Sequence, residues 1–162
     1  MAWGFPVPDA SLALRARALR LLARREHSRA ELRRKLAPHA EEGLDLEALL
    51  DDFTKRGWLS EERFVEQTVR AKSRRFGPLK IAHHLREKGI GEAGIAEALD
   101  QAKRGQAEAL EAVWRSRFGR APLDAAEKAR QVRFLQGRGF PLESIRKLLH
   151  DVATREPQPS RS

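Results

Sequence analysis

Apolar residues of this chain recur at the spacing of an α-helix. Leu14, Ala18 and Leu21 follow one another at intervals of four and three positions, which places them on one helical face. The same spacing returns over residues 64–71 and over residues 107–118. The chain has no stretch of strict alternation between apolar and polar residues, the pattern of a half-buried strand. The hydrophobic pattern therefore predicts an all-α protein.

Three segments repeat a single pattern around a glycine. Gly43, Gly89 and Gly139 are each followed by an apolar residue, with further apolar residues six and ten positions after the glycine. Glycine ends a helix readily because it adopts the left-handed conformation without a Cβ penalty. The repeat interval is about 50 residues, which is typical of tandem structural repeats. We therefore predict nine short helices in three tandem three-helix repeats that form an elongated, curved body.

Polar residues mark several predicted helix starts. Ser28 and Glu31 have the spacing of a capping box, and Ser60 precedes two glutamates as an N-cap. Asp124 is predicted to open a helix in the same way, and Pro78 fits the first helical position. The predicted boundaries are a flexible arm over 1–11, repeats over 12–58, 59–103 and 104–153, and a disordered tail over 154–162.

Composition narrows the class of protein. The 162 residues include no cysteine, which excludes a disulfide framework, a cysteine-ligated zinc site and a thiol nucleophile. No apolar run approaches the roughly 20 residues of a membrane-spanning helix, and the first residues do not form a secretory signal. A phosphate-binding loop of the P-loop type is missing, and the adjacent His83 and His84 point apart on a helix. We expect a cytoplasmic monomer that is not an enzyme and needs no cofactor.

The positive charge lies in separate segments. Lys and Arg number 32 against 23 Asp and Glu, for a net charge of +9. Basic residues dominate the segments 15–36, 70–88 and 115–138, whereas residues 40–54 hold six acidic residues and no basic one. Each repeat thus has two basic helices and a more acidic third helix. One interpretation is a repeated basic ridge that meets phosphates or an acidic protein surface; the other is an ordinary solvated helix face.

The candidate contact residues follow from this charge segregation. Arginine outnumbers lysine, which suits bidentate contacts to phosphate or carboxylate groups. The predicted ridge consists of Arg17, Arg20, Arg24, Arg33, Arg34, Arg63, Arg70, Lys72, Arg74, Arg75 and Lys80. Within it, Arg17, Arg20 and Arg24 are predicted to lie opposite the apolar stripe of their helix, and Arg63, Arg70 and Arg74 likewise on theirs. Phe76 is the candidate for stacking on a nucleic-acid base. Trp58, Trp114 and Phe140 are predicted to lie in the core, because large apolar residues are mostly buried.

Four stretches, taken in order, resemble the bacterial RecX family, which regulates the RecA recombinase. They are Ser28–Leu36, Gly57–Phe64, Phe76–Ile90 and Gly139–Ile145, and the resemblance extends over residues 12–152. It implies tandem three-helix repeats, in agreement with the repeats found above. It also implies that the protein binds RecA and the RecA filament on single-stranded DNA. Inhibition of recombinase and coprotease activity would then modulate homologous recombination and the SOS response.

Two other function classes stay open at this point. Basic helices alone bind phosphates, so a DNA-binding helical protein that acts without RecA is the main alternative, with weak, sequence-independent binding to single- and double-stranded DNA. A nuclease or other hydrolase is the third class. The lack of clustered carboxylates near the basic helices argues against it.

Overall fold

The computed structural model describes residues 9–155, and the predicted helices are all found there. These residues form nine α-helices, one short 3₁₀ helix at Ala37–His39 and no β-strand. The α-helices are α1 (Asp9–Arg24), α2 (Arg29–Leu36), α3 (Leu46–Lys55), α4 (Glu61–Lys72), α5 (Pro78–Glu87), α6 (Glu92–Lys103), α7 (Gln106–Arg117), α8 (Ala125–Gly137) and α9 (Leu142–Arg155). The all-α class and its three-helix repeats are confirmed, whereas the elongated shape and the repeat boundaries stay predictions.

The ends of the chain were predicted to be an arm and a tail. Residues 1–8 and 156–162 lie outside the described residues. Residues 9–11, which the prediction placed in the arm, belong to α1, and residues 154 and 155, which it placed in the tail, belong to α9. No helix between residues 9 and 155 has the length and the apolar character needed to cross a bilayer.

The predicted helix caps are present. The Ser28 hydroxyl accepts a hydrogen bond from the backbone N–H of Glu31 at 3.1 Å, and the Ser60 hydroxyl accepts one from Arg63 at 3.3 Å. Asp124 caps α8 through the N–H of Glu127 at 2.7 Å. The three repeat glycines all have positive φ, between +79° and +90°, which explains why glycine occupies these helix ends.

The chain divides into two compact units, the first of which comprises residues 1–67 and 88–90. Its core lies among α1, α2 and α3, where Leu32, Leu36, Leu50 and Phe53 are fully buried. The acidic helix α3 forms ion pairs within this unit, since Asp52 accepts a hydrogen bond from Arg15 at 2.9 Å. The unit is therefore held by an apolar centre and by ion pairs at its edge.

Glu31 is a buried acid within the first unit. Its side chain is 5% exposed and lies near Arg25, Lys35 and Lys88, at 3.0, 3.7 and 3.5 Å respectively. Burial raises the pKa of Glu31, but the hydrogen bond and positive charge of Arg25 more than offset this, so that the pKa falls to about 2. The capping box is accordingly one-sided, because the Glu31 carboxylate binds cations instead of returning to the N–H of Ser28.

The second unit comprises residues 68–87 and 91–162. Trp114 and Phe140 are 3% and 1% exposed, which confirms the prediction that both lie in the core. Gln131 is buried at the position that Ile81 occupies in the second repeat. Its side-chain oxygen accepts a hydrogen bond from Trp114 Nε1 at 2.8 Å, and its amide nitrogen donates to the Arg120 carbonyl at 3.3 Å. The buried polar group is therefore satisfied.

The prediction that Trp58 lies in the core is wrong. Its side chain is 41% exposed, and Leu59, at 2%, takes the buried position after Gly57. The indole packs edge-on against Phe53 at 5.4 Å between ring centroids, and the Arg56 guanidinium lies over its ring at 5.1 Å. Trp58 therefore lies at the border of the core, in contact with Phe53 on one side and partly open to solvent.

Candidate functional site

The candidate site in the second unit is built on a close contact between two chain segments. The backbone N–H of Gly77 donates to the Arg138 carbonyl at 2.8 Å, and that of Leu79 donates to the Gly139 carbonyl at 3.1 Å. These N–H groups belong to the start of α5, where the first turn has no partners of its own. The end of α8 supplies these partners. The contact holds the turn before α5, which contains Phe76, next to Arg138.

Glycine is required on both sides of this contact. A Cβ on Gly77 would overlap the Gly139 carbonyl and lie only 2.6 Å from Phe140 N. A Cβ on Gly139 would overlap Lys80, and the φ of Gly139 is +90°. The two glycines therefore let the backbones approach more closely than side chains would permit.

A groove beside this contact is lined largely by basic residues of the second unit. Its volume is about 530 Å³, and it is lined by Arg74, Arg75, Ala112, Val113, Ser116, Arg117, Phe134 and Arg138. We refer to it as the arginine groove. Four of the eight lining residues are arginines, and no acidic residue is among them. The groove therefore concentrates positive charge at a concave surface, where it attracts anions most strongly.

These four arginines have no carboxylate partner among residues 10–155. The ion pairs of the second unit instead engage neighbouring residues such as Arg115, which binds Glu111 at 2.7 Å. Two of the groove arginines are placed by aromatic rings: Arg138 lies 5.3 Å from the Phe134 centroid, and Arg117 lies 5.6 Å from it. A cation held over a ring keeps its N–H donors available, so that an entering phosphate or carboxylate can accept hydrogen bonds from them.

Phe76, the candidate stacking residue, is surrounded by cations. Lys72, Lys80 and Arg138 lie 5.6, 4.9 and 5.4 Å from its ring centroid. An aromatic ring has only two faces, so a base can stack on Phe76 only if at least one cation moves aside. Base stacking on Phe76 stays a prediction, whereas its role in gathering three cations is visible.

The predicted residues Lys72, Arg74, Arg75 and Lys80 thus meet in one region, around Phe76 and the arginine groove. Arg74 was predicted to lie on the same helix face as Arg63 and Arg70. It instead follows the end of α4, which is at Lys72, and lies in a turn. This turn directs Arg74 and Arg75 into the groove.

The other predicted residues belong to the first unit or to α4. Arg17, Arg20 and Arg24 are exposed on α1 and have no ion-pair partner within the described residues; we refer to them as the α1 arginine row. Arg33 donates to Glu47 at 3.0 Å. Its hydrogen bond, together with one from Arg29, lowers the pKa of Glu47 to about 2. Arg33 is therefore already engaged within the unit.

Arg63 is engaged in a similar way. Its guanidinium donates to the Glu26 carboxylate at 2.8 Å and to the Gly57 carbonyl at 2.7 Å. Arg34 and Arg70 are exposed on α2 and α4. The predicted ridge therefore includes side chains that face solvent and side chains that hold the fold together.

Arg117, Phe134 and Arg138 were not selected from the sequence. The third repeat has the basic segment 115–138, but its periodicity does not distinguish arginines that line a groove from those that face open solvent. Gly139, which brings Arg138 to the turn before α5, was identified only as a helix end. Within residues 9–155, no cluster of three or more His, Asp and Glu residues has the geometry of a metal site.

Comparison with known proteins gives consistent matches along the chain. Residues 15–40, 60–99 and 105–149 match the family models for the first, second and third three-helix domains of RecX. The regulatory protein RecX of Leptothrix cholodnii is 48% identical over 138 residues, which cover 85% of this chain and 88% of the relative. The regulatory protein RecX of Herbaspirillum seropedicae is 43% identical over 154 residues, which cover 95% of this chain and 100% of the relative.

Solved structures agree at the level of the fold. A crystal structure of RecX from Lactobacillus salivarius superimposes with a TM-score of 0.78 at 18% identity and covers 91% of this chain and 99% of that one. A second crystal structure, of the regulatory protein RecX, gives a TM-score of 0.72 at 23% identity and covers 88% of this chain and 74% of that one.

Proposed function

Because the chain belongs to the RecX family of regulatory proteins, we propose that it binds RecA and the RecA filament on single-stranded DNA. Binding inhibits the recombinase and coprotease activities of RecA, and thereby modulates homologous recombination and the SOS response. The protein acts by binding alone, as a cytoplasmic monomer without catalysis or cofactor. The contacts come from the solvent-facing members of the predicted basic ridge, together with Arg117 and Arg138 of the arginine groove.

The observation that carries this proposal is the arginine groove. Four arginines without carboxylate partners among residues 10–155 line one concave surface, and planar guanidinium groups suit the bidentate recognition of phosphate. A filament on single-stranded DNA offers both phosphates and protein carboxylates. We assign the groove to the DNA phosphates, because four arginines line one concave surface there, and the α1 arginine row to an acidic protein surface.

The direct test measures ATP hydrolysis by RecA on single-stranded DNA at increasing concentrations of this protein. We expect inhibition at concentrations well below that of RecA, because a regulator acts on the filament and not on each DNA site. Inhibition that appears only when the protein saturates the DNA would contradict regulation of RecA and would indicate simple competition for DNA.

The groove has a matched control in the same repeat. The double variant Arg117→Gln and Arg138→Gln removes two groove charges, whereas Arg115→Gln and Arg120→Gln remove two charges whose partners are Glu111 and Glu127 outside the groove. The two double variants have equal net charge. We expect the groove variant to inhibit RecA less than the control does. Equal inhibition by both would show that the groove makes no contact with the filament.

The groove also supports a second candidate function, sequence-independent binding to single-stranded nucleic acid without RecA. Phosphate contacts carry no sequence information, and each contact adds about −0.7 to the slope of log affinity against log salt on single strands. A fluorescence anisotropy titration at several salt concentrations measures this slope. A steep slope for the parent chain and a shallower one for the groove variant would support it, whereas the same slope for both would exclude the groove as the binding site.

A further inference from the structure

Helix α1 has two apolar faces, and only one of them contributes to the core. Leu14 and Ala18 are 2% and 0% exposed and pack against the other helices of the first unit. Leu12 and Leu19, on the same helix, are 53% and 41% exposed. Such exposed leucines need no explanation when they are scattered, but these two lie two helical turns apart on one line.

Two alanines continue this line. Leu12, Ala16, Leu19 and Ala23 follow one another at intervals of four, three and four residues, and all four are exposed. Such alternating intervals produce the seam through which one helix packs against another. We refer to these four residues as the α1 seam. Since successive residues are about 100° apart around the helix axis, the seam lies on the side of α1 away from the buried Leu14 and Ala18. The sequence had predicted the α1 arginine row on that side.

The α1 arginine row runs along one side of the seam. Arg20 lies about 80° from Leu12 around the helix axis, and Arg17 and Arg24 lie somewhat further round. None of the three pairs with a carboxylate among residues 10–155, whose side chains the structure describes. The other side of the seam carries Arg15, whose charge is already paired with Asp52 at 2.9 Å. The seam is therefore apolar along its centre, with unpaired positive charge on one side.

We propose that the α1 seam binds an amphipathic helix of a partner protein, with an apolar stripe on the seam and carboxylates facing the α1 arginine row. The charges select this occupant. A second copy of α1 would bring no carboxylate to the row, because residues 10–24 contain no Asp or Glu, and in an antiparallel pair the two arginine rows would also repel each other. The preceding segment, residues 1–8, contains no Asp or Glu, so it cannot neutralise the row. An acidic helix supplies both the apolar surface and the opposite charge.

The contact is separate from the arginine groove, and its test does not involve RecA or DNA. The probe is a synthetic 16-residue helical peptide, the length of α1, with leucines at seam spacing and glutamates beside them. The full-length, ¹⁵N-labelled chain is titrated with this peptide and followed by NMR. We expect chemical-shift changes centred on α1, and at least tenfold weaker binding of a peptide in which glutamine replaces glutamate, equivalent to about 1.4 kcal/mol.

Paired variants locate the contact. Leu12→Gln with Leu19→Gln should weaken binding of the acidic peptide about tenfold or more, because each leucine completes its burial in the complex. The control, Leu79→Gln with Leu123→Gln, changes leucines that are 58% and 70% exposed in the second unit and should leave binding unchanged. Circular dichroism checks that both variants keep the parent's helix content, as expected for exposed positions and a good helix former.

Three results would overturn the proposal. The first is equal affinity for the acidic and the glutamine peptides. The second is an equal loss of binding in the seam variant and in the control. The third is a concentration-dependent dimer of the parent that the seam variant abolishes, which would identify a second copy as the occupant.

Discussion

The contact between Gly77 and Gly139 makes a sharp prediction about stability. In Gly77→Ala, the new methyl group would overlap the Gly139 carbonyl and lie 2.6 Å from Phe140 N. The atoms that the methyl group would meet all belong to the backbone of Gly139 and Phe140, so no side chain can rotate to make room. The φ of Gly77 is not positive, and alanine would fit the conformation itself. The whole penalty therefore comes from the separation of the two segments.

The magnitude follows from the hydrogen bonds that this separation breaks. Gly77 N–H to Arg138 O, at 2.8 Å, and Leu79 N–H to Gly139 O, at 3.1 Å, join the two segments. Each such bond contributes about 0.5–1.5 kcal/mol, and a buried group left unpaired costs about 1–3 kcal/mol. We expect Gly77→Ala to lower the free energy of unfolding by about 2–4 kcal/mol, and the melting temperature by about 4–16 °C at the scale for a chain of this size.

Thermal unfolding followed by circular dichroism measures this effect, and Gly137→Ala is the matched control. Gly137 belongs to the same junction, but a methyl group added to it would meet no atom within 4 Å, and its φ is not positive. Alanine there should be neutral or stabilise by up to about 1 kcal/mol through helix propensity. If Gly77→Ala melts within about 2 °C of the parent, the close contact does not hold the second unit together.

Three further predictions concern charge and polar burial. The pKa of Glu31 is about 2 in the folded chain, against an ordinary value of 4.5, so its ionised carboxylate stabilises the fold at neutral pH. This contribution to the free energy of unfolding is about 3 kcal/mol, and it is lost as the pH falls from about 4.5 to 2. The difference in urea stability between the parent and Glu31→Gln should shrink over that range, and a constant difference would contradict the assignment. Gln131→Leu leaves Trp114 Nε1 without its acceptor and should cost about 1–3 kcal/mol in urea unfolding; an unchanged midpoint would show that the bond contributes nothing. Replacing the α1 arginine row by glutamates should weaken inhibition of RecA with little change in melting temperature, because each exposed site changes the free energy of unfolding by about 0.5 kcal/mol or less. Ile81→Asp, at a position that is 1% exposed, should instead unfold its unit, because it buries an unpaired charge. Full inhibition by the charge-reversed protein would remove the row from the interface.

Local chemistry made the helices predictable. Helix caps and positive-φ glycines act on residues a few positions away in the chain. The effect of Ser28 and Asp124 can therefore be inferred from the residues beside them in the sequence. The hydrophobic spacing located the buried faces for the same reason. Trp58 escaped this logic because the choice between Trp58 and Leu59 for the buried position depends on how the chain leaves Gly57, which the spacing does not specify.

The candidate site was less predictable because it depends on contacts between residues distant in sequence. The sequence identifies Gly139 as a helix end, but only the fold shows that the backbone of Gly77 rests on it. That contact brings Arg138 beside Phe76 and completes the arginine groove. Charge counts located the basic segments, yet Arg33 and Arg63 turned out to be paired with Glu47 and Glu26. A sequence shows where charges are plentiful, and the fold determines which of them stay unpaired.

The distribution of unpaired charge suggests how the two units divide the work. In the first unit, the carboxylates of α3 neutralise Arg29 and Arg33, whereas the α1 arginine row has no such partner among residues 10–155 and is a charged surface available to a partner. In the second unit, two of the four groove arginines, Arg117 and Arg138, lie over an aromatic ring and not beside a carboxylate, which keeps them available to phosphates. The seam variant and the groove variant should therefore lose different ligands: the first an acidic helix, the second single-stranded DNA. If either variant lost both ligands equally, the two surfaces would have to be treated as one.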